Sequence, residues 1–281
     1  MIESFLITGR ETLEASLVVG IVYGYLHRSG NNHYRPSVHL GIGLGILGSI
    51  ITAALFQTFT SGFEGVAEQL FEGTTMLIGA LLLSTMIIWM MRQHQVTRDI
   101  EQKVDLQLHK APGWSSWGLT MLIATAILRE GAETVLFLNA ARYESGISFL
   151  GSSIGVLAAL VIGYLFFKGA QRIKVSAVFK VSSVLLILFA AGLVSHSVRE
   201  FQEVAGSVVP LYDINPPMNQ DGSYPLLHEK GLVGSFAKGL FGYNGNPSAL
   251  ELAAYVTYLM GMVALWKRNT THRIGQRRAI A

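Results

Sequence analysis

The sequence predicts an all-α integral membrane protein with seven transmembrane helices, arranged as two inverted three-helix repeats plus one C-terminal helix. Three observations predict it. Of 281 residues, 51% are hydrophobic and only 14% charged, against about 25% charged in an average soluble domain. Seven apolar runs approach the length that crosses a bilayer, about 20 residues of helix. One charged motif occurs twice, in the first and fourth of those runs. The absence of cysteine excludes a disulfide scaffold, a thiolate-held metal and thiol catalysis. The net charge of +3 points to no nucleic-acid partner, because the basic residues sit in short tracts between the apolar runs.

The first run, 2–27, is too long for a cleavable signal peptide and carries charges at its centre. The second, 38–59, contains no Asp, Glu, Lys or Arg, and the third, 72–91, contains none after Glu72. The fourth, 116–140, carries the second copy of the motif, and the fifth, 147–168, is uncharged up to Lys168. The sixth is 178–199; the seventh, 250–267, is shorter and follows a stretch rich in Gly and Pro. All are expected as helices, since lipid offers a strand's free backbone groups no partner. Together they make one transporter domain over 1–281. Its parts are a first repeat (1–92), a second (116–200), a long outer connection (200–249) and the last helix (250–267).

Fifteen Lys and Arg fall in one set of alternate connections, among them Arg98, Lys103, Lys110, Arg172 and Lys174. Four fall in the other set: Arg142, Arg199, Lys230 and Lys238. The positive-inside bias therefore places the N-terminus outside and the C-terminus in the cytoplasm, in a multi-pass protein of the cell's inner membrane.

The repeated motif reads R-E-x-x-E, as Arg10-Glu11-Thr12-Leu13-Glu14 and Arg129-Glu130-Gly131-Ala132-Glu133. A weaker match pairs Leu40-Gly41 and Gly45 with Leu150-Gly151 and Gly155 in the runs that follow. A three-helix unit used twice must invert, which is a transporter signature with the substrate site near the midplane. Glu14 lies roughly 18 Å into its helix at 1.5 Å per residue, and ionised groups at that depth are functional by default. Glutamates three apart share a helix face, with the arginine one turn before the second of them. If the two helices pack antiparallel, Glu11, Glu14, Glu130 and Glu133 converge with Arg10 and Arg129 as flanking charges. Such an oxygen-only set asks for a hard cation without choosing among iron, manganese, calcium and magnesium.

The doubled motif, Glu68-Gln69-Leu70-Phe71-Glu72-Gly73, Phe241-Gly242-Tyr243 and Pro247-Ser248 together resemble the high-affinity iron permease family. That family includes a fungal permease working beside a multicopper ferroxidase and bacterial EfeU-type permeases. The resemblance spans essentially the whole chain. It implies an iron importer, not an enzyme, with iron as transported substrate and no organic cofactor. The ion is ferric iron delivered by an external ferroxidase or iron-binding protein, or else ferrous iron. It also implies Glu11, Glu14, Glu130 and Glu133 as metal ligands. Many members read R-E-G-L-E in both copies; this sequence has Thr12 in the first and Gly131-Ala132 in the second, and the departures (Thr12 and Ala132) are expected to alter helix packing. The alternatives are a transporter of manganese or lead on the same fold, or a membrane diiron enzyme. Against the enzyme, no histidine follows the glutamates at Glu-x-x-His spacing. No G-x-x-x-x-G-K-[ST] loop points to ATP coupling within the chain.

Secondary features carry narrower expectations. Glu64, Glu68 and Glu72 are spaced by four; Glu68 and Glu72 are candidates for gathering cations outside, while Glu64 reads as a solvated helix end. The outer connection, with Asp213, Asp221 and Glu229, is net acidic and is expected either to dock an iron-supplying partner or to cover the helix ends. His196 is expected to contact Arg199 or Glu200 rather than metal. His27, His33, His94, His109 and His272 read as surface residues, and the nine methionines as core packing. Asp99, Glu101 and Asp105 are expected to pair with near neighbours such as Lys103.

Overall fold

The computed structural model describes residues 1–280 except 61, 63, 93–95, 110–112, 169–174, 216–223, 227 and 230. His94, Lys110, Arg172, Lys174, Asp221 and Lys230 thus lie outside the described residues. Among those described there are nine α-helices and no strand. They are α1 (Ile2–Arg28), α2 (Arg35–Thr60), α3 (Val66–Arg92), α4 (Val96–Leu108), α5 (Trp114–Ser145), α6 (Phe149–Phe167), α7 (Val175–Val204), α8 (Leu232–Phe241) and α9 (Ala249–Ile280).

Seven of the nine coincide with the seven apolar runs. Five segments are long and apolar enough to cross a membrane: Asn32–Phe59, Val66–Met90, Phe149–Phe167, Ala177–Val204 and Ala249–Arg268. The two motif helices, α1 and α5, are not among them, because each gives part of its length to charge. The exterior is that of a protein solvated by hydrocarbon. Along α2, Leu40, Leu44, Leu47, Ile51, Leu55 and Phe59 are all exposed. An aqueous surface does not carry an apolar face of that extent.

Several helices outrun the expected spans. α3 begins at Val66, so Glu68 and Glu72 are helical; α5 continues to Ser145 and α7 to Val204. α4 and α8 were not expected at all. Both are short and amphipathic, with apolar residues at four-residue spacing (Ile100, Val104 and Leu108; Leu232, Phe236 and Leu240). α4 uses that stripe to place Val104 in an apolar cluster with Val22, Leu26, Val38 and Leu119.

Small residues set the packing, as they must where lipid offers no hydrophobic drive between helices. α1 lies along α6, and α2 along α5, through glycines that leave no room for a side chain. A Cβ at Gly41 would stand 2.7 Å from the Thr120 carbonyl oxygen, and one at Gly45 3.0 Å from that of Ala124. On the other pair, a Cβ at Gly151 would run into the Met1 carbonyl oxygen, and one at Gly155 would stand 2.5 Å from that of Phe5. Met1 and Phe5 precede Arg10 by nine and five residues, as Thr120 and Ala124 precede Arg129. The same contact is therefore made twice. α3 runs antiparallel to α7, where Ser197 Oγ donates to the Gly73 carbonyl at 2.8 Å. α9 closes on both: Ser195 Oγ donates to the Glu251 carbonyl at 3.2 Å, and Ser84 Oγ meets Tyr258 OH at 2.6 Å.

The core follows the α1–α5 seam. At the Met1 end, Ile7, Phe137, Ala140, Phe189 and Leu193 pack together. At the Arg28 end, Val22 and Leu26 meet Leu119 and Ile123. These contacts make α1 and α5 antiparallel, and both motifs fall between the two apolar clusters.

Candidate metal centre

Helical spacing puts Glu11 and Glu14 on the face of α1 that meets α5, and the antiparallel crossing brings Glu130 against them. One carboxylate oxygen from each of Glu11, Glu14 and Glu130 can be chosen so that all three lie within 4.8 Å of one another. Glu11 is 1% exposed and Glu130 2%. Both oxygens of Glu11, Oε1 of Glu14 and Oε2 of Glu130 are buried with no hydrogen-bond donor. Buried carboxylates without donors are costly, and here their lone pairs converge, an arrangement that a cation satisfies.

The two arginines are placed differently. Arg10 is buried; its Nε lies 3.3 Å from Glu14 Oε1, and its Nη2 donates to Met90 Sδ at 2.8 Å. Arg129 is half exposed, bonds Glu130, reaches Glu133 Oε1 at 3.6 Å and sits 5.8 Å over the Trp89 ring. Glu133 stands outside the three-carboxylate cluster. With Glu14, Arg129, Trp89, Met86 and Phe137 it lines a cavity of about 410 Å³ beside that cluster. Of the four motif glutamates, then, three meet closely and the fourth faces the adjoining cavity. Sequence reasoning missed Trp89 and Met90, and took methionine only as packing. Nothing in the order of residues says which face of α3 turns toward the motifs.

A model of the Iron permease FTR1 family matches residues 1–268. The chain belongs to that family. It is 33% identical over 264 residues to a protein named ferrous iron permease EfeU of Escherichia coli O6:K15:H31 (strain 536 / UPEC), covering 92% of this chain and 93% of the relative. The same figures hold for the Shigella sonnei (strain Ss046) protein of that name. The Yersinia pestis one is 29% identical over 269 residues, covering 95% and 93%. No solved structure matches.

Gly131, which the second copy shares with R-E-G-L-E, has a packing role: a Cβ there would run into the Ser49 side chain, so the glycine lets α5 approach α2. Glu68 is exposed at the start of α3, while Glu72 is half-buried and within electrostatic reach of Glu68, Arg142 and Glu203. Two expectations need correction. His196 contacts neither Arg199 nor Glu200; its Nδ1 meets the Gly192 carbonyl at 3.1 Å and Glu144 Oε1 at 3.7 Å. Asp105 does make a near-neighbour pair, 3.6 Å from His109 Nδ1 one turn on, but it also accepts from Tyr25 OH at 2.5 Å, and Glu101 reaches across to α1 to pair with Arg28, because α4 docks there.

The connection between α7 and α9 is knitted to the helix ends. Glu229 accepts from Gly245 N at 2.8 Å, Asn215 Nδ2 at 3.2 Å and Lys238 Nζ at 3.3 Å. Burial alone would raise the Glu229 carboxyl, but the Gly245 N–H, Lys238 and Asn215 outweigh it and hold the pKa below the usual carboxylate range. Ser248 and Glu251 form a reciprocal capping box at the start of α9, with bonds of 2.9 and 3.1 Å.

Proposed function

We propose that this chain imports iron through a midplane site formed by Glu11, Glu14, Glu130 and Glu133, in a seven-span inner-membrane protein with its N-terminus outside and its C-terminus in the cytoplasm. The observation that carries the reading is the convergence of donorless carboxylates from both motifs between two apolar clusters. With all six motif groups ionised, four glutamates and two arginines leave two negative charges, which one divalent cation neutralises. That balance, and the names of the relatives, favour ferrous iron over the ferric ion. The repeated glycine contacts of α1 with α6 and α2 with α5 support an inverted repeat about the α1–α5 seam. A chain of this kind needs the two motif helices to span despite their charge, which membrane proteins accept where the charge lines an internal site.

Glu68 and Glu72 gather cations at the outer end of α3, and an external iron-binding protein supplies ferrous iron there; a ferroxidase partner would belong with the ferric ion instead. Arg10, locked against Glu14 and Met90, and Arg129, facing the cavity, keep the four carboxylates from holding the ion so tightly that it cannot leave. The motif supplies Arg in place of a redox enzyme's His, in keeping with transport rather than catalysis.

The test is uptake into proteoliposomes of the purified protein, offered ferrous iron, ferric iron or manganese in parallel. Ferrous uptake well above the other two is expected. Manganese moving faster than either form of iron would replace the substrate assigned here, and no uptake of any metal would remove the function.

A further inference from the structure

The faces of α1 and α5 that carry the motifs carry a second set of polar residues nearer the Met1 end. Glu3 lies two turns before Glu11 on α1, and Glu144 three turns after Glu133 on α5. Glu144 is 4% exposed, and neither of its carboxylate oxygens has a hydrogen-bond donor. His196 of α7 stands beside it, with Nδ1 3.7 Å from Glu144 Oε1. The carbonyl of Gly192, 3.1 Å from Nδ1, can only accept, so the proton sits on Nδ1 and the lone pair on Nε2. That is the arrangement a metal-ligating imidazole adopts, its other ring N–H being given to a backbone carbonyl.

Glycines make the space. A Cβ at Gly192 would stand 2.6 Å from Glu144 Oε1 and 2.5 Å from the Gly242 Cα, and a Cβ at Gly239 would run into the Glu3 carboxylate. α8 therefore closes over both acids with no side chain between. The other charges nearby are already engaged. Glu3 pairs with the Met1 ammonium at 2.6 Å, and Lys238 with Glu229. Glu144 is left with no hydrogen-bond donor on either oxygen, with His196 Nδ1 3.7 Å away. Between this group and the midplane carboxylates lie Ile7, Phe137, Ala140, Phe189 and Leu193, all 1% exposed or less.

We infer that Glu144 and His196, with Glu3 at their side, form a second binding station for a divalent first-row transition metal ion, above an apolar layer that separates it from the midplane site. One carboxylate and one imidazole suit such an ion, and the remaining positions would be water. Its place as the outer, loading station rests on the transport reading above. The apolar layer keeps an ion from passing between stations until the helices rearrange.

Manganese(II) titration of the purified full chain in detergent, with free ion read by electron paramagnetic resonance, tests this. The wild type is expected to bind two classes of ion. Glu144→Gln should lose one class and keep the other, and His196→Asn should weaken the same class by at least about tenfold. A Glu11→Gln/Glu130→Gln double variant should lose the opposite class. His196→Asn also covers the case in which Glu144→Gln does not fold. Wild-type binding in both the Glu144 and the His196 variants would overturn the inference, as would a single class abolished by the double variant. Two classes that persist in the double variant, with one lost in Glu144→Gln, would support the outer station while removing the midplane assignment.

Discussion

The two arginines of the repeated motif are equivalent in sequence and different in place, and that difference sets what each does for stability. Arg10 is buried against Glu14 and Met90, so Arg10→Gln strands carboxylates in a dry seam; breaking a buried pair in this way costs on the order of 3–5 kcal/mol. Arg129 gives the buried Glu130 its hydrogen bonds, but its own side chain is half exposed, so solvent moderates the loss when it is replaced. Thermal melting of the two variants in detergent should show a larger drop for Arg10→Gln than for Arg129→Gln; equal drops would refute the asymmetry. Glu229 gives a pH signature. Its folded pKa is depressed, so its contribution is fully present above the ordinary carboxylate range and is lost as pH falls through the folded value. Protection of the Gly245 amide, its exchange rate taken against the intrinsic rate at each pH, should therefore fall in acid, and Glu229→Gln should abolish that dependence. The motif glutamates were legible in the sequence because charge at mid-helix depth has few structural explanations. Glu144 was not, because it follows a span that the apolar pattern ends at residue 140, whereas α5 runs on to Ser145.

At the scale of elements, the seven long helices could be read from apolar runs, and the two short ones could not. α4 docks by a three-residue stripe and α8 buries Leu240 from a helix of 10 residues, each too short a signal to stand out beside spans of about 20 residues. The helix ends were misplaced for a related reason. Hydropathy marks where lipid begins and ends, while the helix continues as long as its backbone bonds do, as in α7 through Arg199, Glu200 and Glu203. Partner choice was only half visible: the matched glycines of α2 and α6 hinted at a repeat, and the structure shows that each packs on the motif helix of the other half. Those glycines yield a graded prediction. Gly45→Val would press on Ile127 Cβ, 2.7 Å from the added Cβ, and should cost about 1–3 kcal/mol by overpacking. Gly43→Ala on the same helix meets nothing within 4 Å and should be neutral or stabilising. Melting temperatures of the two variants check the pair, and a similar loss in both would mean that α2 is not held by this contact.

On the scale of the whole molecule, a charged belt is held between two apolar clusters inside a lipid-solvated shell. A structural staple is expected to satisfy its carboxylates, whereas here both oxygens of Glu11, Oε1 of Glu14 and Oε2 of Glu130 lack donors. The belt adjoins a cavity of about 410 Å³ at Arg129 and Glu133, while Ile7, Phe137 and Phe189 seal the Met1 side. Alternating access in this arrangement requires the apolar layer to part and the cavity to close. Narrowing the cavity by Thr85→Trp should accordingly slow iron uptake while leaving manganese(II) binding at the midplane intact; loss of both together would make the cavity part of the binding site. The most direct test of the central claim is to measure iron uptake and melting temperature on one preparation of Glu130→Gln in proteoliposomes. Because the substitution removes a buried, partly donorless charge, the variant should melt no lower than the wild type while uptake falls to that of protein-free vesicles. Unchanged uptake, or uptake lost only in proportion to a lowered melting temperature, would show that the two motifs hold helices together rather than iron.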